Sequence, residues 1–414
     1  SGTAQADIEG FWQAHAKAAP GVSAAERYPG FKAPSSTISE RYTREQILEF
    51  AVGRPSKAFG EPYAVFDEQR TIARLPGPPY CFMDRITRIE PEPWVLKPGG
   101  WVEAQYDIPA DAWYFGADRS GEMPFCVLLE IALQPCGWLA AYLGSALKSG
   151  QDLKFRNLGG EAVQTTGLAP ENKTLTMRTR LTKMSEAADM IIENFDFEVL
   201  GEGNAIYKGN TYFGFFTAHA LAQQVGLRES MYTPTQRDLG GFAAVRLEDI
   251  APISPGEVPS DGAASSGLLM PAKALRMIDS ITAFCPDGGP NGLGFIRGTK
   301  QVDPDEWFFK AHFYQDPVCP GSLGVESFLQ LVKYYALQRW PELQQTHRFR
   351  LLKGVRHRWS YRGQVIPSNR QVVVDAVITE VQDGPEPMLR ADGWLHVDGL
   401  AIYKLEGFGF HLEQ

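Results

Sequence analysis

Several motifs and one kind of segment are missing from this sequence. It has no GxGxxG or GxxxxGK[ST] loop, and its His, Cys and acidic residues show no spacing typical of a metal site. It also has no uninterrupted apolar run of about 18 residues, the length that a membrane-spanning helix needs. We therefore predict no bound dinucleotide, no P-loop phosphate site, no metal, no cofactor and no membrane span.

Positive charge is in the minority, with 40 Lys and Arg against 49 Asp and Glu and a net charge of −9. Binding to nucleic acid needs concentrated positive charge, so nucleic acid is not a predicted partner. The five cysteines form no CxxC pair and are odd in number, which predicts a reduced, cytoplasmic protein. The first residues, Ser1-Gly2-Thr3, lack an initiator Met and a signal pattern, which predicts an excised fragment.

The chain of 414 residues is long enough for two or three domains, and it repeats itself once. At an offset of 194–196 residues, LPGPPYCFMDRIT matches MPAKALRMIDSIT, and the same offset aligns two AIYK and two FGF segments. Pro124 and Glu130 match Pro320 and Glu326 in the same order. We interpret the repeat as two copies of one domain.

Each copy has the same order of elements, namely short strands, a proline-led apolar helix and a set of later strands. In the first copy the helix is predicted at about Glu130–Leu147, apolar on nearly all faces and with Pro135 inside it. The later strands alternate or are β-branched, as antiparallel strands are. The pattern predicts a buried helix wrapped by a strongly curved antiparallel sheet, in an α+β fold.

The predicted domain organisation has four parts. An N-terminal extension with short helices takes 1–69, and the two copies take 70–225 and 265–414. Between them, residues 226–264 are rich in Pro, Gly and Ser and are predicted to form a linker. We expect the copies to pack as a pseudo-dimer with their sheets joined edge to edge. The sequence leaves further association into a homodimer open.

Chemistry is concentrated in HFYQDPVCPGSLGVESFLQL of the second copy. His312 can titrate near neutrality, as a general base does. Pro320 suits the first position of a helix, and Gly321 leaves the backbone N–H groups there open to a developing oxyanion. Glu326, fourteen residues after the histidine, is on an apolar helix that should raise its pKa. A base, an oxyanion donor and an acid are the parts needed to dehydrate a 3-hydroxyacyl thioester.

This segment resembles the active-site segment of bacterial 3-hydroxyacyl-[acyl-carrier-protein] dehydratases, which have the hot-dog fold. The tandem arrangement resembles the dehydratase region of polyunsaturated fatty acid synthases. The resemblance implies a double hot dog and carrier-bound substrates in fatty acid or polyketide synthesis. It also implies an acyl carrier protein and the other domains of a multidomain synthase as partners. The implied roles are α-proton removal by His312, handling of the departing hydroxyl by the acid, and binding of the thioester carbonyl at Gly321.

The first copy departs from this pattern and decides which residues form the predicted site. Asp118 stands where the second copy has His312, and Phe125 replaces the glycine, yet the acid Glu130 is kept. Family dimers combine a histidine from one hot dog with an acid from the other. Catalytic His312 is therefore predicted to pair with Glu130, whereas Glu326 with Asp118 should be a vestigial pair.

Alternative functions stay open on the sequence. A non-catalytic acyl-binding or scaffold module is favoured by the degenerate first copy and opposed by the complete motif in the second. A hot-dog thioesterase would need a carboxylate aimed at water on the thioester, for which the motif gives no reason. The acid is Glu, as in plain dehydratases of the family, although the rest of the motif looks closer to dehydratase-isomerases. Isomerisation of the double bond therefore remains open.

Overall fold

The computed structural model describes residues 23–24, 40–171, 173–187, 190–229, 231–250 and 267–414. Residues 1–22 and 25–39 of the predicted N-terminal extension lie outside the described part of the chain, and so do residues 230 and 251–264 of the predicted linker. Within the described residues, fourteen strands form one antiparallel sheet. They are β1 (Arg85–Ile89), β2 (Val102–Ile108), β3 (Lys154–Gln164), β4 (Lys173–Ala187), β5 (Met190–Gly201), β6 (Asn204–Phe216), β7 (Val245–Arg246), β8 (Ser280–Cys285), β9 (Phe295–Gln301), β10 (Arg348–Leu351), β11 (Arg356–Tyr361), β12 (Gln371–Gln382), β13 (Met388–Val397) and β14 (Leu400–Glu413).

The strand order shows the internal symmetry. It runs β1-β2-β4-β5-β6-β3 through the first copy and β11-β14-β13-β12-β9-β8-β7 through the second, with β10 paired to β14. Apart from β7 and β10, the second half is the mirror sequence of the first. The halves join where β3 pairs with β11. The molecule is therefore a double hot dog whose two sheets are continuous, and the predicted edge-to-edge pseudo-dimer is confirmed.

The join between the halves depends on a glycine. Gly160 of β3 is opposite Trp359 of β11 in the register. A Cβ at Gly160 would lie 2.5 Å from the Trp359 ring and 2.4 Å from a backbone carbonyl, closer than real contacts allow. The indole N–H of Trp359 in turn donates to Asn157 Oδ1 at 2.8 Å. The close approach of the two sheets thus requires the absence of a side chain here.

Nine α-helices, most of them short, accompany the sheet in the described residues. They are α1 (Arg44–Val52), α2 (Pro55–Phe59), α3 (Val65–Glu68), α4 (Trp113–Asp118), α5 (Phe125–Tyr142), α6 (Ala218–Ala222), α7 (Gln236–Leu239), α8 (Trp307–Ala311) and α9 (Gly321–Arg339). The central helices α5 and α9 each pack against their own half of the sheet and against each other. Strand β5 alternates buried and partly exposed residues along its length and packs against α5, so it turns one face to that helix.

Helix α5 differs in its bounds from the predicted Glu130–Leu147. It begins directly after Pro124, whose extended backbone caps it, and continues through Pro135 to Tyr142. Gly144, in the left-handed region at φ 86°, follows the C-terminal end, as is common for helix termini. This helix is long and apolar enough to cross a membrane, but 89% of it is buried inside the protein. It is the core helix of the first hot dog.

Part of the segment predicted as a linker belongs to the second hot dog. Strand β7 pairs with β8, and Asp238 accepts hydrogen bonds from Tyr232, Thr235 and the backbone N–H of Gly289. Leu247 is buried in the main core. The Pro/Gly/Ser-rich composition thus did not predict these contacts, because they depend on a few residues that dock against distant strands. The five cysteines are all buried and free.

Candidate active site

His312 caps the C-terminal end of α8, in the connection that leads to α9. Its Nδ1 lies 2.9 Å from the carbonyl oxygen of Val318. Because a carbonyl only accepts, Nδ1 carries the proton and Nε2 keeps its lone pair. Burial lowers the pKa of His312 to about 3, partly offset by this hydrogen bond. The imidazole is therefore neutral near pH 7, as a general base must be.

The loop that carries His312 is anchored on the other copy. Asp316 accepts two hydrogen bonds from the guanidinium of Arg156, at 2.7 and 2.9 Å, and one from Lys154 at 2.6 Å. Both basic residues belong to β3 of the first hot dog. Burial alone would raise the pKa of Asp316, but the two cations keep it below its usual value. This buried, charge-assisted contact fixes the base relative to the first copy.

Glu130 projects from α5 of the first copy. One carboxylate oxygen accepts from the Ser322 hydroxyl at 2.7 Å, and the other accepts from the Gln134 amide at 3.3 Å. The Ser322 oxygen also lies 3.0 Å from the hydroxyl of Tyr80. Burial raises the pKa of Glu130 to about 7, although the Ser322 and Gln134 hydrogen bonds oppose the shift. The carboxyl can therefore hold a proton near neutral pH.

Gly321 is the first residue of α9, directly after the capping Pro320. The N–H groups of a first helical turn have no acceptor within the helix, and the helix dipole adds partial positive charge there. A Cβ on Gly321 would meet nothing within 4 Å, so the space beside this backbone is open. The turn can therefore present N–H donors to an oxyanion.

One cavity of about 90 Å³ brings these groups together. Glu130 from the first copy lines it, and so do His312, Gly321 and Ser322 from the second. Apolar side chains of both copies, with Phe155 among them, complete the wall. The structure thus brings the predicted base, acid and oxyanion donor into one space between the hot dogs. Their catalytic roles stay predictions.

The sequence model of the FabA-like domain family matches this chain twice, over residues 75–210 and 270–406. The chain belongs to the FabA-like family. A curated relative, one of the subunits of the polyunsaturated fatty acid synthase of Thraustochytrium sp., is 32% identical over 384 residues. The alignment covers 87% of this chain but only 25% of that protein, so the chain spans about a quarter of the relative's length.

Solved structures resemble the chain more distantly. The dehydratase domain from the CurJ module of curacin polyketide synthase has 12% identity and a TM-score of 0.42, covering 80% of this chain and 97% of that one. The tesB protein of Mycobacterium avium subs paratuberculosis has 10% identity and a TM-score of 0.37, covering 79% and 95%. At these scores the likenesses carry no argument about activity.

The second pair of predicted residues meets in a separate place. Asp118, Glu326 and Lys333 line a space of about 10 Å³ on the other side of the pseudo-dimer. Asp118 is buried at the end of α4 and accepts from Lys333 Nζ at 3.0 Å, so it is one partner of a buried ion pair. Burial raises the pKa of Glu326 to about 7. The carboxylates of Asp118 and Glu326 raise the pKa of Lys333 against the opposing effect of burial.

Two differences between the FabA-like units explain why the cavity at His312 is open and the cavity at Asp118 is nearly filled. Lys333 of α9 aligns with Gly137 of α5, and Phe125 aligns with Gly321. Gly137 and Gly321 both line the open cavity, whereas Lys333 and Phe125 line the small one. The Phe125 ring packs edge-on against His357, with ring centres 4.8 Å apart. Side chains therefore fill the second site where the first has glycine.

Ser322 is one residue of the site that the sequence did not reveal. Its hydroxyl reaches Glu130 across 192 residues of chain, and the aligned residue of the first unit is Cys126. Lys333 carried a signal, because a charged residue inside an apolar helix without a charged counterpart in the repeat needs a buried partner. Among the described residues, no group of His, Cys, Asp and Glu is placed to hold a metal ion.

Ser322→Ala should move the alkaline limb of the kcat/KM–pH profile to higher pH. The Ser322 hydroxyl lowers the pKa of Glu130, so its loss should raise that pKa above about 7 and keep the acid protonated further. Rates measured between pH 5 and 10 with one thioester test this. Ser327→Ala is the matched control, because that buried hydroxyl donates to Gly324 O at 2.6 Å. An unshifted limb in Ser322→Ala would contradict the assignment of Glu130 as the acid.

Proposed function

We propose that this chain removes water from 3-hydroxyacyl thioesters held on an acyl carrier protein, giving 2-enoyl thioesters. The observation that carries the proposal is the cavity in which His312 and Gly321 of one FabA-like unit meet Glu130 of the other. The relative's name, which places it in a polyunsaturated fatty acid synthase, supports a role in the assembly of acyl chains. The carrier's phosphopantetheine would bring the substrate, and other domains of a multidomain synthase would be partners.

The proposed reaction balances as a simple elimination. His312 Nε2 takes the proton from the α-carbon, and the thioester oxygen gains charge opposite the N–H of Gly321. Protonated Glu130 gives its proton to the β-hydroxyl, the Cβ–O bond breaks, and water leaves as the α,β double bond forms. The pair ends as imidazolium and carboxylate. Transfer of a proton from His312 to Glu130 restores the starting state without a cofactor.

The neutral starting state agrees with the surroundings of both groups. Burial favours a neutral imidazole at His312 and a neutral carboxyl at Glu130, since charge is costly in a buried site. The Nδ1–H bond to Val318 keeps the free lone pair on Nε2. Both groups therefore start in the form that the elimination uses, a base with a free lone pair and an acid with a proton to give.

Incubation with 3-hydroxyacyl thioesters of several chain lengths, carrier-bound and free, tests the proposal. Mass spectrometry of the products distinguishes loss of water from release of the free acid and from no reaction. Loss of water supports dehydration, and the position and geometry of the double bond decide whether isomerisation also occurs. Free acid would indicate a thioesterase instead. No turnover with any carrier-bound chain would favour an acyl-binding scaffold.

A further inference from the structure

Arg74 immediately precedes the first FabA-like unit, which begins at residue 75. Its side chain is buried, and it lines the same cavity as Glu130 and His312. One nitrogen, Nη1, donates to the carbonyl oxygens of Phe50 at 3.1 Å and Gly53 at 2.8 Å. These carbonyls end helix α1, where a helix has unsatisfied acceptors and partial negative charge. One end of the guanidinium thus caps the C-terminal end of helix α1.

The other end of the same guanidinium faces the loop that carries the base. Nη2 donates to Gln315 Oε1 at 3.4 Å, and the guanidinium carbon lies 5.2 Å from the centre of the Tyr314 ring. Both residues fall between His312 and Val318, the two ends of the hydrogen bond that fixes the imidazole. Gln315 has a left-handed backbone, with φ 66°, in which few residues other than glycine rest easily.

A hydrogen bond between backbone groups joins the same parts. The N–H of Gly77, three residues after Arg74, donates to the carbonyl oxygen of Ala311, directly before the base, at 2.7 Å. The loop is therefore held from two sides by the first half of the chain. Arg156 holds Asp316 from β3, and the segment around Arg74 holds Tyr314 and Gln315.

We propose that Arg74 is a positioning residue that ties the end of α1 to the His312 loop, so that the helices before the first FabA-like unit form part of the catalytic unit. The inference rests on the proposed function. A planar guanidinium suits this role, since its fork can serve two carbonyls and an amide while its face stacks on an aromatic ring. A displacement of the base of about 1 Å can cost roughly 100-fold in rate.

The test separates the loop contact from the helix cap. The double variant Tyr314→Leu/Gln315→Asn removes both loop contacts and leaves Arg74 on the carbonyls of α1, and Asn tolerates the left-handed backbone. We expect kcat for dehydration to fall by roughly 10- to 100-fold, with KM changed less than about threefold and the Tm nearly unchanged. Arg74→Lys should show the same loss of kcat, because an ammonium cannot reach both ends at once.

The matched control is Arg70→Lys, since Arg70 belongs to the same segment but pairs with the half-exposed Asp152. It should keep the wild-type kcat. NMR of ¹⁵N-histidine-labelled protein adds a readout that is independent of turnover, in which the His312 Nδ1–H signal should shift or broaden in the double variant and in Arg74→Lys.

Wild-type kcat and an unchanged His312 signal in the double variant would overturn the proposal, even if Arg74→Lys lost stability. Absence of dehydration by the wild-type protein would instead refute the proposed function. The NMR comparison would still decide whether Arg74 positions the imidazole.

Discussion

His312→Ala should lower kcat/KM for dehydration by roughly 100- to 10,000-fold, the usual cost of losing a general base. The imidazole is the only side chain assigned to remove the α-proton, and burial together with the Val318 hydrogen bond prepares it as a neutral base. Product formation from a 3-hydroxyacyl thioester, followed by mass spectrometry, measures the effect. Because alanine leaves the cavity larger, added imidazole should restore part of the rate.

His347→Ala is the matched control for this prediction. The His347 imidazole contacts the neighbouring Thr346 hydroxyl at 2.8 Å, and His347 is not among the residues that line the cavity. The control variant should turn over at the wild-type rate. A His312→Ala protein that kept its fold and its activity would remove the base from the proposed mechanism.

The double hot dog was predictable because the sequence motifs and the order of the predicted strands and helices both repeat. A matched order of strand and helix patterns at one offset implies two equal domains, and each must bury an apolar helix that cannot face water. The edge-to-edge join was predicted from the repeat, because two equal copies can pack as a pseudo-dimer, and the pairing of β3 with β11 confirms it. Its dependence on Gly160 beneath Trp359 could not be predicted, since the register between distant strands is absent from a single sequence.

That Glu130 and His312 line one cavity was predictable, because the first copy has lost the His and the Gly but kept the Glu, and because the family resemblance implies sites shared between two hot dogs. Other contacts were not predictable. Ser322 reaches Glu130 and Arg74 reaches Gln315 across 192 and 241 residues, and no local pattern encodes such pairs. The bounds of α5 were wrong because the apolar run masked its capping signals, Pro124 before it and Gly144 after it.

The small cavity at Asp118 lacks the parts of a second catalytic site. A second working site would need a base at Asp118 and open space at Phe125 and Lys333. Instead, a buried ion pair between Asp118 and Lys333 occupies it. Removing one partner of a buried ion pair typically costs about 3–5 kcal/mol of folding stability. Replacing Asp118 or Lys333 alone should therefore destabilise the fold.

Glu130→Gln should lower kcat by roughly 100- to 10,000-fold, whereas Glu326→Gln should keep most of the activity. The two glutamates are matched controls for each other, since they are aligned in the repeat, are buried, have pKa values raised to about 7 by burial, and bond to aligned glutamines. The amide keeps the volume of the carboxyl but cannot give a proton. Only Glu130 shares a cavity with His312.

Steady-state rates of both variants with the same thioester, together with their circular dichroism, test the composite site. If Glu326→Gln were inactive and Glu130→Gln turned over normally, acid and base would have to act within one FabA-like unit. If both variants were inactive while folded, the small cavity would take part in turnover despite the plug at Lys333. Loss in Glu130→Gln alone leaves one consistent arrangement, in which neither hot dog is an enzyme without the other, because each supplies one half of the proton transfer.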